Sequence, residues 1–392
     1  MNSSTSASGE TIVSTAWETL RSQMPVTQKW AYFDHAAVSP LPEPTRQVIS
    51  DWGDHFAENG VVDWGDWNRR IEVVRELTAQ RIGAATSEIA LIRNTTEGIS
   101  LIAEGFPWQA GDNVVVPDSE FPSNLYPWMN LSDRGVEVRQ VACPDGVIDP
   151  KEIESACNER TRIVAVSWVG YACGWRADLA ALADVAHRHG ALLFVDGIQG
   201  LGVLPLDVSD VHVDFLAADG HKWMLGPEGA GVLYIREEHL ERLRPLGVGW
   251  NSVQQAGSFA DTRLNLKTSA SRYEGGTHNM SGYLGLAASM QLTAEFSSDE
   301  IARRLKEVTD RCCDQLMSIG GHVVSVRSDK HWSGIIACEF EGHKSAALQR
   351  ACLQKGVVVN TRNGRLRISP HLYTNESDII RLRDTLRSVI AN

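Results

Sequence analysis

Two apolar runs in the middle of the chain end in residues that could do chemistry. Asp196 follows the run Ala191 to Val195, and Lys222 follows the run Phe215 to Ala218. If both runs are strands of an open α/β sheet, their ends lie where such sheets bind ligands, so an amine and a carboxylate meet. An amine can form an imine with a carbonyl compound, and a carboxylate can stabilise a neighbouring cation. Taken alone, each residue also fits an ordinary role, as a solvated lysine and as a turn or cap residue.

A third segment predicts a phosphate site. Arg93 to Gly98 stands between an apolar run and an expected helix, where Thr95, Thr96 and free backbone N–H groups would hold a dianion. An ordinary threonine cap explains the same residues equally well. The combination of amine, anion and phosphate site favours pyridoxal 5'-phosphate (PLP) as cofactor, with Lys222 in a Schiff base and Asp196 keeping the pyridine nitrogen protonated.

Three further features bear on this hypothesis: one residue could contribute to a PLP site, and the other two features concern nucleotide binding and metal binding. Phe121 follows an apolar run in the segment SEFPSN and could lie on a flat ring, with a buried core phenylalanine as the alternative. The nucleotide-binding motif GxxxxGK[ST] does not occur in the sequence. His187 and His189 are two positions apart in an expected helix and do not share a face, so we predict no metal site.

The spacing of apolar residues predicts an α/β fold. Short apolar runs alternate with segments of helical period between residues 85 and 240, which is typical of parallel strands joined by crossover helices. The segment Asp178 to Gly190 has an N-cap residue, apolar residues at helical spacing and a glycine past its end. The predicted strands are Ile89–Ile92, Asn113–Val116, Glu137–Val141, Arg162–Ser167, Leu192–Val195, Phe215–Ala218 and Gly231–Ile235.

The pattern changes after about Gly282 and predicts a second, smaller α+β unit. At 392 residues the chain exceeds the size at which one core usually stops growing. We therefore predict three parts: an N-terminal segment 1–30 that is partly flexible and packs on the small domain, a large cofactor-binding domain 31–282, and a small C-terminal domain 283–392. The expected helices of the last part are Ile301–Met317, Ala346–Gln354 and Asp378–Ile390, and its expected strands are His322–Val326, Ile335–Phe340 and Leu366–Ser369.

Charge and composition argue against several classes of partner. The net charge of −12, without a basic patch, disfavours nucleic acid. The apolar stretches are far shorter than the roughly 20 residues that a membrane span needs. The first ten residues do not resemble a secretory signal, and the seven cysteines are scattered as in reduced proteins. We therefore expect a cytoplasmic protein.

The ordered set of segments resembles the class V aminotransferase family of fold-type I PLP-dependent enzymes, which includes cysteine desulfurases, selenocysteine lyases, kynureninase and isopenicillin N epimerase. The resemblance covers nearly the whole chain. It implies a large domain with a mainly parallel sheet between helices and a smaller α+β C-terminal domain. It is carried, in order, by YFDHAAVSPLP, RNTTEG, SEFPSN, VSWVGYACG, FVDGIQG, DGHKWMLGPEGAGVLY, EGGTHN and RLRISPHLY.

The resemblance implies roles for the residues around the cofactor. Lys222 matches the Schiff-base lysine, Asp196 the pyridinium partner, and Gln199 the donor to the ring oxygen. Phe121 takes the position at which the family stacks a ring. Asp219 stands where serine is common in desulfurases, so its phosphate role is open. The positions on the phosphate side are matched by Thr95, Thr96 and His221.

The resemblance also implies a homodimer and a substrate side. Thr277 would reach the phosphate of the neighbouring subunit. Arg367 matches the residue that clamps the substrate carboxylate, a role suited to a planar two-pronged donor. Arg362 and Arg365 remain rival candidates for that clamp. The rest of the substrate side is matched by His35, Ala36 and Tyr171.

Two departures separate the chain from persulfide-forming desulfurases. Those enzymes carry a cysteine nucleophile on the loop before the clamp arginine, whereas the stretch GVVVNTRNGRLRISPH contains none. Cys352 precedes this stretch but falls in an expected helix, where a structural thiol is favoured. Tyr171 stands where many desulfurases have asparagine.

These residues predict an enzyme that acts on a small amino acid through an external aldimine, with freed Lys222 removing the Cα proton. We favour a lyase or epimerase-like activity. A cysteine desulfurase or selenocysteine lyase activity and true transamination are the alternatives. A non-catalytic regulatory or assembly protein that keeps the fold is the alternative from another class, and the intact Lys222 and Asp196 argue against it.

Overall fold

The computed structural model describes residues 16–391. A first helix, α1, occupies residues 16–22. The other helices are α2 (Glu43–Asn59), α3 (Trp64–Ile82), α4 (Thr95–Gly105), α5 (Tyr126–Met129), α6 (Pro150–Ala156), α7 (Leu179–Arg188), α8 (Val208–Val211), α9 (Met280–Gln291), α10 (Ser298–Met317), α11 (Ser345–Gln354) and α12 (Glu376–Ile390). The strands are β1 (Ala31–Tyr32), β2 (Ile89–Ile92), β3 (Asn113–Pro117), β4 (Glu137–Val141), β5 (Thr161–Ser167), β6 (Leu192–Asp196), β7 (Phe215–Asp219), β8 (Gly231–Ile235), β9 (His322–Val323), β10 (Ile336–Glu339), β11 (Val357–Val358), β12 (Asn360–Arg362) and β13 (Arg365–Ile368).

A seven-stranded sheet organises the first part of the chain, in the order β2-β8-β7-β6-β5-β3-β4. The pairs among β4, β3, β5, β6 and β7 are parallel, while β8 runs antiparallel to both β7 and β2. Every strand predicted for this region forms, with ends shifted by one residue at most. The predicted α/β class with a mainly parallel sheet is confirmed.

The central strands are buried on both faces because their sequences are almost continuously apolar. β6 and β7 carry buried residues throughout, from Leu192 to Asp196 and from Phe215 to Asp219. Alternate side chains enter two separate core clusters, with Val195 in one and Phe194 in the other. A polar side chain at the end of such a strand is therefore held in an apolar, rigid frame.

Crossover helices join the parallel strands and fix where those strands end. In α7 the carboxylate of Asp178 accepts a hydrogen bond from Ala181 N at 3.1 Å, and Gly190 follows the helix with φ of 68°. The helix buries Leu182 and Ala186 against the sheet. This is the arrangement that the caps in the sequence predict.

A smaller antiparallel sheet, in the order β12-β13-β10-β9, dominates the C-terminal part and shares a core cluster with α10, α11 and α12. The strand predicted over His322–Val326 is shorter, ending at Val323. The predicted boundary at residue 282 stays a prediction, and helix α9 runs across that position.

The segment before β1 contacts the C-terminal part, since Arg21 forms an ion pair of 2.6 Å with Asp378. The expectation of flexibility at the N-terminus concerns mainly residues 1–15, which lie outside the described residues. Within residues 16–391 no helix combines the length and apolar character needed to cross a bilayer.

Candidate cofactor and substrate site

Asp196 is the last residue of β6, and its carboxylate is buried, with 3% of the residue exposed. Its Oδ1 accepts a hydrogen bond from Ile198 N at 3.1 Å, which orients the group at the end of the strand. Burial raises the pKa of Asp196 to about 6, and the positive charge of Lys222 opposes part of that rise. A cation placed beside this carboxylate would stabilise its charged form.

Lys222 lies in the tight loop that follows β7. Gly220 begins this loop with a hydrogen bond from its N to Ala230 O at 2.8 Å, and a Cβ there would lie 2.8 Å from that oxygen. Burial lowers the pKa of Lys222 to about 8, while Asp196 raises it and Arg367 lowers it further. A much larger fraction of this amine is therefore neutral near physiological pH than of an exposed lysine, as a nucleophilic amine requires.

The side chain of Gln199, which follows β6 in the chain, is fixed by two hydrogen-bond partners. Its Oε1 accepts from Trp223 Nε1 at 2.8 Å, and its Nε2 donates to Ala36 O at 3.0 Å. An indole N–H only donates, so the amide orientation is fixed. The second hydrogen on Nε2 remains available, which fits the expected role toward a ring oxygen.

The start of α4 lies beside the end of β7. Thr95 is buried, and its Oγ1 accepts a hydrogen bond from Asp219 N at 2.9 Å. Thr96 is exposed and donates its hydroxyl to Ser123 Oγ at 2.8 Å. The side chain of Asn94 caps the helix at Glu97 N. Thr95 and Thr96, the threonines predicted on the phosphate side, are thus the first two residues of α4. The hydroxyl of Thr95 also connects this helix start to the end of β7, the strand before Lys222.

Asp219 and His221 lie close together on this side of the site. His221 Nδ1 is 3.0 Å from Asp219 Oδ1, but the two atoms are not aligned for a hydrogen bond and both are buried without another partner. The backbone oxygen of His221 accepts from Ser39 N at 2.7 Å. This hydrogen bond connects the segment that contains Ala36 and Ser39 to the loop of Lys222.

Phe121 is 45% exposed, so the alternative of a core phenylalanine is wrong. Its ring centroid lies 6.0 Å from Lys222 Nζ and 5.3 Å from the ring of Tyr171, which packs edge-on against it. A flat ring attached to Lys222 would have this exposed face within reach.

Arg367 is almost completely buried in β13, with 1% exposed. Its Nη1 donates to Tyr171 O at 3.0 Å and its Nη2 to Asp34 Oδ1 at 3.1 Å. Its Nε is buried and has no acceptor among residues 16–391. A buried guanidinium with an N–H left over is suited to receiving a substrate carboxylate.

The two rival arginines have different surroundings. Arg365 forms ion pairs with Glu339 at 2.7 Å and with Asp145 at 2.9 Å, so its charge is already compensated. Arg362 is half-buried and donates from Nη1 to Asn360 Oδ1 at 2.9 Å and to Thr361 O at 2.7 Å.

His35 does not line an open substrate side, in contrast to the expectation. The residue is 0% exposed, and its Nδ1 and Nε2 lie 2.8 Å from Ser369 O and 2.7 Å from the Tyr373 hydroxyl. Burial keeps the pKa of His35 well below its usual value. Ala36 is also buried, so this segment supports the site through its backbone.

Thr277 is exposed and lines a cleft of about 530 Å³ together with Trp64, Lys267 and His278. No hydrogen bond within the described part of the chain connects Thr277 to the Lys222 region. Its role toward a second subunit stays a prediction.

Sequence reasoning missed two carboxylates, Glu120 and Asp34. Glu120 is buried, accepts from Ser167 N at 2.5 Å, and has a pKa raised by burial to about 7. Ser167 is the residue paired with Asp196 in the register of β5 and β6. Both missed residues stand next to predicted site residues in the segments SEFPSN and FDHAAV, and that adjacency was the available clue.

The side chains present fit PLP. Buried atoms without a hydrogen-bond partner in the described residues include Asp219 Oδ1, His221 Nδ1 and Arg367 Nε, all from the surroundings of Lys222. Polar atoms left unsatisfied in a buried site are costly unless a ligand or water meets them. Together with a lysine of lowered pKa and a carboxyl of raised pKa, they indicate a site built for a polar ligand.

Comparison with known proteins identifies the family. The family model described as Aminotransferase class-V matches residues 31–382. The chain belongs to this family. The expected PLP-dependent enzyme is thereby confirmed at the level of the family, while the roles of single residues stay predictions.

Individual relatives agree with this assignment. A probable cysteine desulfurase from Methanothermobacter thermautotrophicus is 30% identical, over 95% of this chain and 98% of that protein. The structure of a cysteine desulfurase from Thermococcus onnurineus aligns with a TM-score of 0.84 and 26% identity, over 95% of this chain and 98% of that one. A cystine C–S lyase, solved with its reaction product cysteine persulfide, aligns with a TM-score of 0.86 over 93% of this chain and 99% of that one; at 23% identity, this likeness concerns the fold.

Proposed function

We propose that the protein is a PLP-dependent lyase that cleaves the bond between Cβ and sulfur in a small sulfur-containing amino acid. The observation that carries this proposal is the buried Lys222 amine, whose lowered pKa responds to the charges of both the buried Asp196 carboxyl and the guanidinium of Arg367. The cysteine desulfurases among the relatives favour sulfur chemistry over the epimerase-like activity that the sequence also allows.

Each residue has a defined task in this proposal. Arg367 binds the α-carboxylate of the substrate, since its Nε lacks an acceptor within the described residues. PLP, when bound, supplies the electron sink that makes the Cα proton acidic. Lys222 holds the cofactor at rest and removes that proton, which its lowered pKa permits near neutral pH. Asp196 stabilises the protonated ring nitrogen.

The hairpin before Arg367 bears on the fate of the sulfur. β12 and β13 are joined by a tight turn in which Asn363 has φ of 49° and Gly364 φ of 78°, and neither strand contains a cysteine. Cys352 is buried in α11, and burial raises the pKa of its thiol to about 12. A persulfide on this hairpin is therefore not part of the proposed reaction.

Elimination needs no such thiol. The Cβ–S bond breaks as the Cα proton leaves, and hydrolysis of the remaining enamine converts cysteine and water to pyruvate, ammonia and hydrogen sulfide. Desulfuration to alanine, by contrast, requires a thiol that accepts sulfur. An external thiol would make this second route possible, and the cysteine desulfurases among the relatives keep it as the second candidate.

The products of cysteine turnover test the proposal. We expect the purified PLP-loaded protein to form sulfide and pyruvate in equal amounts from cysteine without added thiol, and Lys222→Ala to form neither. Alanine formation that depends on added thiol would favour the desulfurase route instead. D-cysteine or the keto acid of cysteine, without sulfide, would contradict carbon–sulfur cleavage.

We also propose that the protein acts as a homodimer, with Thr277 serving the neighbouring site. The segment beside the Thr277 cleft exposes large apolar side chains, with Phe259 77%, Leu264 70% and Trp250 42% exposed. Apolar groups gathered in this way are typical of an interaction surface.

A further inference from the structure

A second cavity lies next to the substrate side of the site. It has a volume of about 270 Å³, and its walls include Ser119, Tyr171 and Arg362. Tyr171 connects the two places, because its ring packs against Phe121 and its carbonyl oxygen accepts from Arg367. A substrate held by Arg367 would therefore have this cavity, which we call the side pocket, within reach of its side chain.

Arg362 is the cation of the side pocket that forms no ion pair within residues 16–391. Its Nη1 makes the two hydrogen bonds to Asn360 and Thr361. A guanidinium has five N–H groups, so its Nε and Nη2 keep three that bond to no described residue. An N–H on Nε and one on Nη2 form the parallel pair that binds a carboxylate in two-pronged fashion.

The hairpin holds Arg362 in this place. Asn363 and Gly364 form the turn in left-handed backbone conformations, and β12 pairs with β13, which contains Arg367. The charge of Arg362 acts on Lys222, Asp34 and Arg367, so the side pocket lies in the same electrostatic environment as the reacting amine.

The other charges of the side pocket compensate each other. Asp145 also lines it, and this carboxylate is paired with Arg365 at 2.9 Å. Arg365 has Glu339 as a second partner. Within residues 16–391, no carboxylate approaches Arg362 to ion-pair distance, so a ligand carboxylate would meet an unpaired cation there.

We propose that Arg362 binds a second acidic group at the end of the substrate side chain, so that the preferred substrates are sulfur amino acids with an anionic side chain. This inference rests on the proposed function and specifies its substrate class. Arg367 then binds the α-carboxylate and Arg362 the distal acid, and the two arginines of one hairpin set the length of the substrate.

A matched pair of substrates tests this specificity. S-carboxymethyl-L-cysteine and S-carbamoylmethyl-L-cysteine have the same shape and differ in charge at the end of the side chain. Elimination from either yields pyruvate and ammonia together with the corresponding thiol, so one pyruvate assay serves both. We expect kcat/KM for the acid to exceed that for the amide by about tenfold or more, the size of a charge-assisted hydrogen bond.

Arg362→Gln should remove this preference, because kcat/KM falls more for the acid than for the amide or for unsubstituted cysteine. Arg365→Gln removes the same charge from the same hairpin but from a paired residue, and it should keep the preference. Melting temperatures of both variants show whether the hairpin is intact.

Three outcomes would overturn the proposal: equal kcat/KM for acid and amide in the unmodified protein, loss of preference in Arg365→Gln alone, or an equal loss for all substrates, cysteine included, in Arg362→Gln. The last outcome would assign Arg362 to the α-carboxylate. If no pyruvate forms from any substrate, the proposed function fails, and titrating the visible spectrum of the PLP-loaded protein with the acid and the amide still compares their binding. Equal affinities in that titration would overturn the subsite as well.

Discussion

At the scale of single residues, the site depends on opposite pKa shifts with one cause. Burial lowers the pKa of Lys222 to about 8 and raises that of Asp196 to about 6, because it disfavours the charged form of each group. A lysine that is partly neutral can attack a carbonyl carbon. A buried carboxylate interacts strongly with a cation placed beside it, such as a protonated pyridine nitrogen, because little water screens the two charges.

Asp196→Asn separates the two effects of this carboxylate. We expect the variant to bind PLP at Lys222 but to turn over substrate about 100-fold more slowly, the size of losing one preorganised electrostatic partner. The stability of the cofactor-free variant, unlike its activity, should stay the same or increase. Since the folded pKa of Asp196 is above its unfolded value, its charge costs stability progressively as pH rises through about 4 to 6.

The cofactor-free variant should therefore melt at the same temperature as the unmodified protein, or higher, at pH 8. Thermal unfolding monitored by circular dichroism checks this, with Asp184→Asn on the exposed face of α7 as the control for a lost surface charge. A full catalytic rate in Asp196→Asn, or a large drop in its melting temperature, would show that the carboxylate has a structural role instead.

At the scale of elements, the sequence predicts the strands and helices whose bounds follow from the local spacing of apolar residues. The strands that end in Asp196 and Asp219 are apolar runs with a polar terminus, so their positions follow from the pattern alone. The helix over Leu179–Arg188 carries its caps in its sequence. The antiparallel direction of β8 is not local information, because it depends on which side of the sheet the chain returns to.

The parts of the site that the sequence missed depend on contacts between distant segments. Asp34 meets Arg367 across more than 300 positions of chain, and Glu120 meets Ser167 where two strands end side by side. Periodicity contains no record of such contacts. The burial of His35 likewise follows from Ser369 and Tyr373, which lie in the C-terminal part.

The β12–β13 hairpin is the element that carries both Arg362 and Arg367. Its turn residues, Asn363 and Gly364, both have positive φ, which glycine and asparagine tolerate best. The tight turn leaves no room in the hairpin for a long loop and brings Arg362 and Arg367 to neighbouring strands. The sequence shows that this hairpin has no cysteine, whereas the position of Arg362 is visible only in the structure.

At the scale of the whole molecule, the site is built from segments at both ends of the chain. The N-terminal strand β1 pairs with β11, and the Asp34–Arg367 pair joins the first part of the chain to the small sheet. Thr277 lines an exposed cleft together with Lys267 and His278. We propose that Thr277 completes the phosphate site of a second copy of the chain.

Complementation between two inactive variants tests the dimer. In a mixed dimer of Lys222→Ala and Thr277→Asp, one site has an intact Lys222 and receives an intact Thr277 from its neighbour. Co-expression with random pairing should recover about a quarter of the unmodified activity, because half the dimers are mixed and each has one intact site.

Lys222→Ala co-expressed with the double variant Lys222→Ala/Thr277→Asp is the control and should recover nothing. Differently tagged chains allow the mixed dimers to be isolated and counted. Mixed dimers without recovered activity would contradict the role of Thr277 across the interface.

The central claim is that Lys222 holds PLP through its side-chain nitrogen. The most direct measurement is borohydride reduction of the purified protein, which makes the link permanent, followed by peptide mass spectrometry. We expect the yellow absorbance near the visible edge to disappear on reduction and the added mass of the reduced cofactor to be found on Lys222, with no such adduct in Lys222→Ala. A colourless protein that takes up no PLP, or an adduct on another lysine while Lys222 stays unmodified, would contradict the account.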